Sequence, residues 1–496
     1  MGEGEGQFEE VFPENDKRAK KQKKTEIRVI IGNPPYAGAQ DSANDGNASI
    51  KYDRLDGDIR STYAEHSTAT NKSSLYNSYI RAFRWASNRI KDNGVICFVS
   101  NGFFIDGKAA DGMRKCLVDE FQSIYVFNLR GDAINTSGEI RRAEAGNVFG
   151  GGTRSQIAIT MLIKNSEKAG QACQIHYHDI GDYLSREQKL DIVQQFGGIG
   201  AIPWQTITPN AEQDWINQRD PAFDRFLPMG DKANPSALSI FDTYSNGVKS
   251  NRDAWVYNFD RLSVKNNMSR MLNFYAEQVA SYKKATDGKP KDMWPDVEKF
   301  ANNDPKRISW NRSLKNDLGR LTERPYRESA IVPAMYRPFC KQWLYFDRAL
   351  NDMVYQMPKL FPKPGMENTV IAVKGIGANR AFSALASNVV VDLEMISKGQ
   401  VFPFYYYEPL SENDTMFVEG EVVDGFVRRE AISDKVLTAF RKQYDNTLTK
   451  RDIFAYVYGV LHSTEYKSRF DIDLKKVLPR IPFAADFWAF SRAGQK

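Results

Sequence analysis

The feature that most constrains the fold is a short apolar run that ends at two consecutive prolines. Residues 28–31 read Arg-Val-Ile-Ile and are followed by Gly32-Asn33-Pro34-Pro35-Tyr36. A helix cannot continue through the prolines, because each lacks an amide hydrogen and its ring clashes with the preceding turn. The run is therefore predicted to be a strand that stops abruptly at a polar turn.

Alternating strands and helices are predicted over residues 25–165. Apolar side chains at helical spacing predict helices at residues 75–90 and 111–121. Apolar, β-branched runs predict strands at residues 29–31, 95–99, 123–129 and 156–164. This alternation predicts an α/β layer with parallel strand pairing.

The alternation stops near residue 165, and the sequence then becomes rich in aromatic residues without a regular pattern. A second unit is predicted over residues 236–496, with a connector at residues 166–235. Residues 1–24 are predicted to be a charged lead-in, acidic at first and then basic.

Composition limits the class of protein. The 496 residues are 42% hydrophobic and 26% charged, which is ordinary globular usage. No apolar run approaches the roughly 20 residues of a membrane helix, so a soluble, cytoplasmic protein without membrane contact is predicted. Only four cysteines and four histidines occur, so no metal site is predicted. The net charge of +6 is compatible with a polyanionic partner but does not identify one.

The turn after the first strand has the side chains to activate an amine conjugated to a ring. Such an amine is a poor nucleophile, because its lone pair is delocalised. The Asn33 side-chain oxygen and the Pro34 carbonyl oxygen can accept both N–H groups and favour the pyramidal nitrogen. Pro34 and Pro35 stiffen the turn. Tyr36 offers an aromatic face against which a flipped base can stack.

Asn-Pro-Pro-Tyr at a strand end resembles motif IV of S-adenosylmethionine-dependent amino-methyltransferases, and the downstream order resembles the adenine-N6 DNA methyltransferases. Longer blocks resemble one group, the single-polypeptide Type ISP restriction–modification enzymes. The blocks are RVIIGNPPY, SLYNSYIRAFRWASNRI, GVICFVSNGFF, VFNLRGD, RSQIAITMLIK, YSNGVKSNRDAWVYNF, YRPFCKQWLYFD and KGQVFPFYYYEP. The resemblance covers nearly the whole chain.

The resemblance implies a fold and a reaction. Residues 25–165 would form the C-terminal half of a Rossmann-like methyltransferase sheet, and residues 236–496 a mixed α+β target-recognition domain. The motif Asn33, Pro34, Pro35 and Tyr36 would be catalytic, and Phe149 would flank the flipped adenine beside Tyr36. The implied methyl donor is S-adenosylmethionine, and the implied partner is double-stranded DNA.

The sequence departs from this family in length. Family members carry nuclease and helicase-like modules and a glycine-rich cofactor loop upstream of motif IV, and none of these is recognisable here. The glycines at positions 2, 4 and 6 stand too close to motif IV to form that loop. A permuted loop at Gly375-Ile-Gly377 is an alternative. The chain is expected to be the C-terminal portion of a longer enzyme.

Two clusters in the second unit have the residue types that read DNA. Lys249, Asn251 and Arg252 stand together after a glycine, where lysine suits phosphate and the other two suit base edges. Asn379 and Arg380 form a second candidate. For single residues such as Arg252, a structural ion pair is an alternative interpretation.

Three functions are consistent with the sequence. The leading hypothesis is the site-specific, adenine-N6 methyltransferase part of a restriction–modification system. The second is a catalytically incomplete DNA-binding module that needs an upstream or separate cofactor-binding half. The third is methylation of an amide or amine outside DNA, because glutamine-methylating and RNA-guanine-methylating enzymes also use this motif.

Overall fold

The computed structural model describes residues 13–35, 52–134, 136, 138–149, 153–378, 380–410 and 420–496. The chain divides into two compact units, Met1–Arg219 and Asp220–Lys496. Within the described ranges, no helix has both the length and the apolar character needed to cross a membrane.

The first unit is built on one mixed sheet. Its strands are β1 (Val29–Gly32), β2 (Asn93–Asn101), β3 (Ser123–Arg130), β4 (Ile157–Asn165), β5 (Gln174–Asp179) and β6 (Gln205–Ile207). Its helices are α1 (Pro13–Lys24), α2 (Asp53–Ile59), α3 (Ser78–Arg89), α4 (Asp111–Glu120), α5 (Gly138–Glu144) and α6 (Arg186–Phe196). The order across the sheet is β1-β2-β4-β3-β5-β6.

Four of the six strands run in the same direction. β1 is parallel to β2, and β3 is parallel to β5. β4 lies between β2 and β3 and is antiparallel to both, which departs from the predicted parallel pairing. A parallel crossover needs a helix packed on the sheet, whereas α5 between β3 and β4 buries none of its residues. The carboxyl ends of β1, β2, β3 and β5 and the beginning of β4 therefore lie at the same end of the sheet. We call this end of the sheet the shared edge.

The helices pack on the sheet through the apolar positions visible in the sequence. α3 begins at Asn77, whose side chain accepts a hydrogen bond from the Tyr79 amide, as an N-cap residue does. Its Phe83 ring lies 5.1 Å from that of Phe98 in β2 and 5.4 Å from that of Phe104, between ring centroids. These aromatic contacts hold α3 against β2 in the core of the first unit.

Residues 166–235, which we predicted to be a connector, contribute α6, β5 and β6 to the first unit. The division between the units falls after Arg219. Ile175 and Tyr177 on β5 are buried in the same core as the predicted strands, which explains why this segment extends the sheet.

The second unit is a mixed α+β structure. Its strands are β7 (Leu227–Pro228), β8 (Ser245–Asn246), β9 (Tyr257–Asn258), β10 (Ile331–Arg337), β11 (Cys340–Tyr345), β12 (Val370–Val373), β13 (Ala384–Ser387), β14 (Val390–Val391), β15 (Gln400–Pro403), β16 (Tyr405–Pro409), β17 (Glu421–Val423), β18 (Phe426–Glu430) and β19 (Arg480–Ile481). Its helices are α7 (Asp253–Val256), α8 (Arg261–Thr286), α9 (Val297–Phe300), α10 (Arg312–Gly319), α11 (Met357–Leu360), α12 (Asp434–Gln443), α13 (Lys450–His462), α14 (Thr464–Arg469), α15 (Asp471–Lys476) and α16 (Phe487–Gln495).

Two four-stranded sheets organise this unit, in the orders β14-β10-β11-β9 and β13-β12-β15-β8. Smaller sheets are formed by β16-β18-β17 and by β19-β7. One apolar core forms around α8 and the β10–β11 hairpin, and another around α13 and α16. An α/β sheet followed by a mixed α+β unit confirms the predicted fold class.

Candidate functional site

The predicted catalytic turn that begins at Asn33 lies at the shared edge of the first sheet. Asn33 and Pro34 follow directly after β1, whose last residue, Gly32, lies opposite Phe98 of β2. Pro34 is buried, whereas Asn33 and Pro35 are exposed. Tyr36 lies outside the described residues. The turn thus presents Asn33 at the surface and anchors itself through Pro34.

The end of β2 is fixed to the beginning of β4 beside this turn. Asn101 ends β2, and its side chain accepts a hydrogen bond from the Phe103 amide at 2.8 Å. The Gly102 amide donates to the Gln156 carbonyl at 2.8 Å. A side chain at position 102 would come within 3.0 Å of the Gln156 side chain, which explains the glycine. The two strands consequently form one rigid stretch of the edge.

A polar network crosses three strands of this edge, and we did not predict it. Asn128 on β3 is buried, and its side-chain oxygen accepts from the Arg130 amide and from Gln156 Nε2, both at 2.9 Å. Its Nδ2 donates to the Tyr177 hydroxyl at 3.1 Å and to Asp179 at 3.2 Å. The detectable signal was one asparagine in the otherwise apolar run of residues 124–129.

Charge at the end of β3 is balanced locally. Arg130 Nε donates to Asp179 at 2.6 Å, and the guanidinium also pairs with Asp182. The carboxylate of Glu144 accepts from the amides of Gly131 and Asp132, at 2.7 and 3.0 Å. These bonds hold the chain that leaves β3 in one conformation.

Phe149 lies on the loop that enters β4 at the same edge, and its side chain is 43% exposed. Its amide donates to the Asn147 side chain at 3.1 Å, and Asn147 Nδ2 donates to the Ser155 carbonyl at 2.7 Å. These two bonds leave the ring at the surface on a fixed loop.

The beginning of α6 holds this loop from the other side. Lys189 Nζ donates to the carbonyls of Glu144 and Gly146, both at 2.8 Å. Arg186 Nε donates to the Val148 carbonyl at 3.0 Å. Burial lowers the pKa of Lys189 to about 8. The ammonium therefore serves as a structural donor to main-chain oxygens.

The structure brings Lys249 and Asn251 together on one turn of the second unit. Lys249 Nζ lies 3.1 Å from Asp352 Oδ2, and Asn251 Nδ2 donates to the same oxygen at 2.8 Å. Asn251 is exposed and has a positive φ of 53°. After glycine, a residue with a short polar side chain such as asparagine tolerates this left-handed conformation best.

Arg252 points into the protein, away from the surface where we predicted it to contact a base. Its side chain is 4% exposed, and no hydrogen-bond partner of its guanidinium lies among the described residues. Burial lowers its pKa to about 10. Since a buried guanidinium cannot reach a base edge, contact with DNA would require this turn to change conformation.

The second predicted cluster lies after β12. Arg380 is exposed, and Asn379 lies outside the described residues. A side chain at Gly375 would meet the Lys398 carbonyl oxygen at 1.9 Å, so internal packing alone accounts for that glycine. β12 is antiparallel to β13 and β15, which differs from the parallel strand that precedes a Rossmann cofactor loop.

Two family models match the chain. The Type ISP C-terminal specificity domain matches residues 239–496, and the Eco57I restriction-modification methylase matches residues 3–134. No curated protein matches the chain.

Solved structures match over nearly the whole chain. A nuclease-deletion mutant of the Type ISP restriction-modification enzyme LlaGI, in complex with a DNA substrate mimic, is 38% identical with a TM-score of 0.79, over 98% of this chain and 36% of that one. The ATP-dependent Type ISP enzyme LlaBIII bound to DNA is 34% identical with a TM-score of 0.81, over 97% and 30%. The DrdV–DNA complex is 33% identical with a TM-score of 0.80, over 97% and 45%.

The chain thus spans between about a third and a half of the length of these relatives. The specificity-domain model covers more than half of the chain, and the methylase model covers the part of the first unit that contains Asn33. The chain therefore belongs to the family of Type ISP restriction–modification enzymes.

Proposed function

We propose that this chain is the methyltransferase and site-recognition part of a restriction–modification enzyme, and that it methylates the N6 nitrogen of adenine in duplex DNA. The observation that carries the proposal is that Asn33 and Phe149 both lie at the shared edge of the first sheet. Asn33 leaves that edge from β1, and Phe149 returns to it before β4.

In this proposal the turn after β1 binds the amino group of a flipped adenine. The Asn33 side-chain oxygen and the Pro34 carbonyl oxygen accept its two N–H groups and stabilise the pyramidal nitrogen of the transition state. Tyr36 and Phe149 stack on the base. The burial of Pro34 supports this role, because a turn anchored in the protein holds its acceptors in place before the base arrives.

The network beneath the edge supplies rigidity. Asn128 ties β3 to Gln156 before β4 and to Asp179 on β5. Because the edge is cross-linked in this way, the loop with Phe149 keeps a defined position relative to β3. Fixed geometry of this kind reduces the reorganisation needed during the reaction.

S-adenosylmethionine supplies the methyl group in the proposed reaction. Among the described residues of the first unit, no strand leading into a glycine-rich loop lies beside β1, so these residues do not fit a cofactor pocket by themselves. We therefore assign to this chain the binding and orientation of the adenine. No residue of the described ranges is assigned to the cofactor.

The second unit is proposed to recognise the DNA sequence. Lys249 and Arg380 would contact phosphates or guanine, and Asn251 and Asn379 would contact adenine edges. Arg252 would join them only after its turn opens, since its guanidinium is buried. LlaGI and LlaBIII are themselves seen with DNA or a DNA mimic, which supports duplex DNA as the partner.

Further modules belong to the same proposal. We propose that nuclease and helicase-like modules act together with this chain, as parts of the longer enzyme. The system would work in the cytoplasm, where host DNA must be methylated and foreign DNA is cut.

A second candidate function is a recognition module that depends on a separate cofactor-binding half. The exposure of β1, the outermost strand of the sheet, favours this function. In the described residues β1 pairs with β2 alone, and Ile31 is 77% and Val29 59% exposed. Apolar side chains on an open strand are suited to packing against further structure.

The substitution Asn33→Ala tests the proposed reaction. Removing one acceptor should lower the rate of methyl transfer to duplex DNA by roughly 100- to 1000-fold, while DNA affinity stays within about threefold. Methyl transfer is measured with radiolabelled S-adenosylmethionine, and cofactor binding by calorimetry. The matched control is Gln171→Ala, an exposed amide in the turn that precedes β5 at the opposite edge.

Each outcome separates the candidates. Equal loss in both variants, or loss of DNA binding in Asn33→Ala, would mean that the turn has a structural role. Methyl transfer that appears only when the upstream part of the enzyme is added favours the second candidate. An unmodified chain that never binds duplex DNA would refute both.

A further inference from the structure

The hairpin between β10 and β11 has an unusual tip. Arg337 pairs with Cys340, which leaves Pro338 and Phe339 alone in the turn. Phe339 adopts a positive φ of 59°. In a turn with proline at its second position, this third position is normally taken by glycine, because a side chain there is strained.

Phe339 is also the most exposed of the large hydrophobic side chains in the described ranges, at 87%. No ring contact with another described residue stabilises it. Phe339 therefore destabilises the folded state in two ways, through backbone strain and through the exposure of an apolar ring to water. Strain of this kind is retained where function requires it.

The residues of β10 next to the turn are held by contacts, although the Phe339 ring at the tip makes no ring contact with a described residue. Arg337 Nη1 donates to Asp392 at 2.9 Å and to the Tyr336 carbonyl at 2.7 Å. Its guanidinium lies 3.8 Å from the centre of the Tyr336 ring. These contacts fix the direction in which the Phe339 ring projects, because they hold the strand immediately before the turn.

The same contacts join the hairpin to the predicted DNA-reading turn. The Tyr336 hydroxyl donates to Asp253 Oδ2 at 2.8 Å, and Asp253 follows the cluster that contains Lys249 and Asn251. The end of β10, next to the tip, and this turn are therefore in contact.

Basic and aromatic groups accompany Phe339 at this end of the sheet. Lys341, two residues along the hairpin, is exposed. β9 is antiparallel to β11 and leaves it in the direction of the tip, so Phe259 also lies at this end. Asp260, next to it, is occupied as the N-cap of α8. Aromatic rings interleaved with lysines suit the bases and phosphates of a nucleic acid.

We propose that Phe339 is a wedge that inserts its ring against the bases of duplex DNA at the site read by the second unit. The inference rests on the proposed DNA recognition and adds a stacking contact to it. Apolar side chains that enter between base steps are an established way for proteins to distort and hold a duplex. The strained turn keeps the ring extended before DNA arrives.

The variant Phe339→Gly separates the fold from the contact. Glycine adopts a positive φ without strain, so the melting temperature should not fall. The affinity for duplexes selected by the unmodified chain from a randomised library should fall roughly tenfold, as for loss of one stacked base. The slope of log affinity against log salt should stay unchanged, because the ring displaces no counterion.

Three further variants complete the experiment. Phe339→Trp keeps a stacking ring and should retain the affinity. Lys341→Gln should reduce the salt slope, which identifies a phosphate contact. Met293→Ala is the matched control, because Met293 is 67% exposed but lies beyond the other end of α8, and it should change nothing.

The failures are distinguishable. No duplex binding by the unmodified chain would refute the proposed recognition together with the wedge. Normal DNA affinity in Phe339→Gly, or an altered salt slope, would refute the wedge alone. Unchanged DNA affinity with a changed oligomeric state in light scattering would instead identify the tip as a protein contact and also refute the wedge.

Discussion

Two buried polar side chains, Asn128 at the edge of the first sheet and Arg252 in the predicted DNA-reading turn of the second unit, differ in their hydrogen bonding. Asn128 is buried in the first region, and its side chain makes four hydrogen bonds to groups on or beside three strands. Arg252 is equally buried in the second, yet its guanidinium has no hydrogen-bond partner among the described residues. In the same unit, Phe339 is exposed on a strained turn.

The difference agrees with the different tasks that we propose for the two regions. A site for chemistry gains from groups that are fixed before the substrate binds, since reorganisation then costs little. A surface that docks a large polyanion gains from groups not already satisfied within the protein; Arg252 is such a group, whereas Lys249 and Asn251 are bound to Asp352. We expect the first region to lose stability when changed, and the second to lose affinity.

Asn128→Leu should lower the stability of the first unit. It removes the acceptor of Gln156 Nε2 and of the Arg130 amide, so the free energy of unfolding of the first unit should fall by about 2 kcal/mol. Thermal or urea unfolding measures this change. Asn93→Ala is the control, since Asn93 bonds Ser166 at an exposed position and should cost less than about 1 kcal/mol. Equal costs would remove the distinction between the regions.

Arg252→Met should not lower the free energy of unfolding. Replacing a buried, unpaired guanidinium with an apolar side chain of similar length should leave the free energy of unfolding unchanged or raise it by about 1 kcal/mol. Arg114 is the comparison in the first unit, because it donates to the carbonyls of Gln213, Phe104 and Gly107. Arg114→Met should cost about 3 kcal/mol. A similar loss in both variants would contradict the contrast.

The last effect concerns Lys189 and the pH dependence of stability. Its pKa is about 8 in the folded chain against 10.5 as the ordinary value, so the unfolded chain binds more protons between these values. Stability should therefore rise as the pH increases from about 8 towards 10.5. The neutral amine still has two hydrogens for its two carbonyl acceptors. The melting temperature of the unmodified chain should rise over this pH range, and the rise should be absent in Lys189→Met. An identical dependence on pH in both proteins would exclude Lys189 as the source of the rise.

Much of the first unit could be predicted from the sequence. The helix predicted at residues 75–90 is α3, and the strand predicted at residues 123–129 is β3. Both were visible because local apolar periodicity reports which face is buried. The turn at Asn33 was equally visible, because two prolines can only follow the end of such an element.

Other features depend on partners distant in the sequence. The reversed direction of β4 follows from its place between β2 and β3, which no local pattern records. The burial of Arg252 was hidden as well, since arginine in a polar turn is usually at the surface. The role of Asn128 needed Gln156 and Asp179, which are 28 and 51 residues away.

The sequence by itself determined the family and the alternation of the first unit, and it predicts the chemistry of the Asn33 turn, because all three depend on residues adjacent in the chain. Only the tertiary structure decided which groups are satisfied and which are exposed. It left Arg252 buried and Phe339 in water on a strained turn. Burial and hydrogen bonding are properties of what surrounds a residue in space, and the order of residues does not state them.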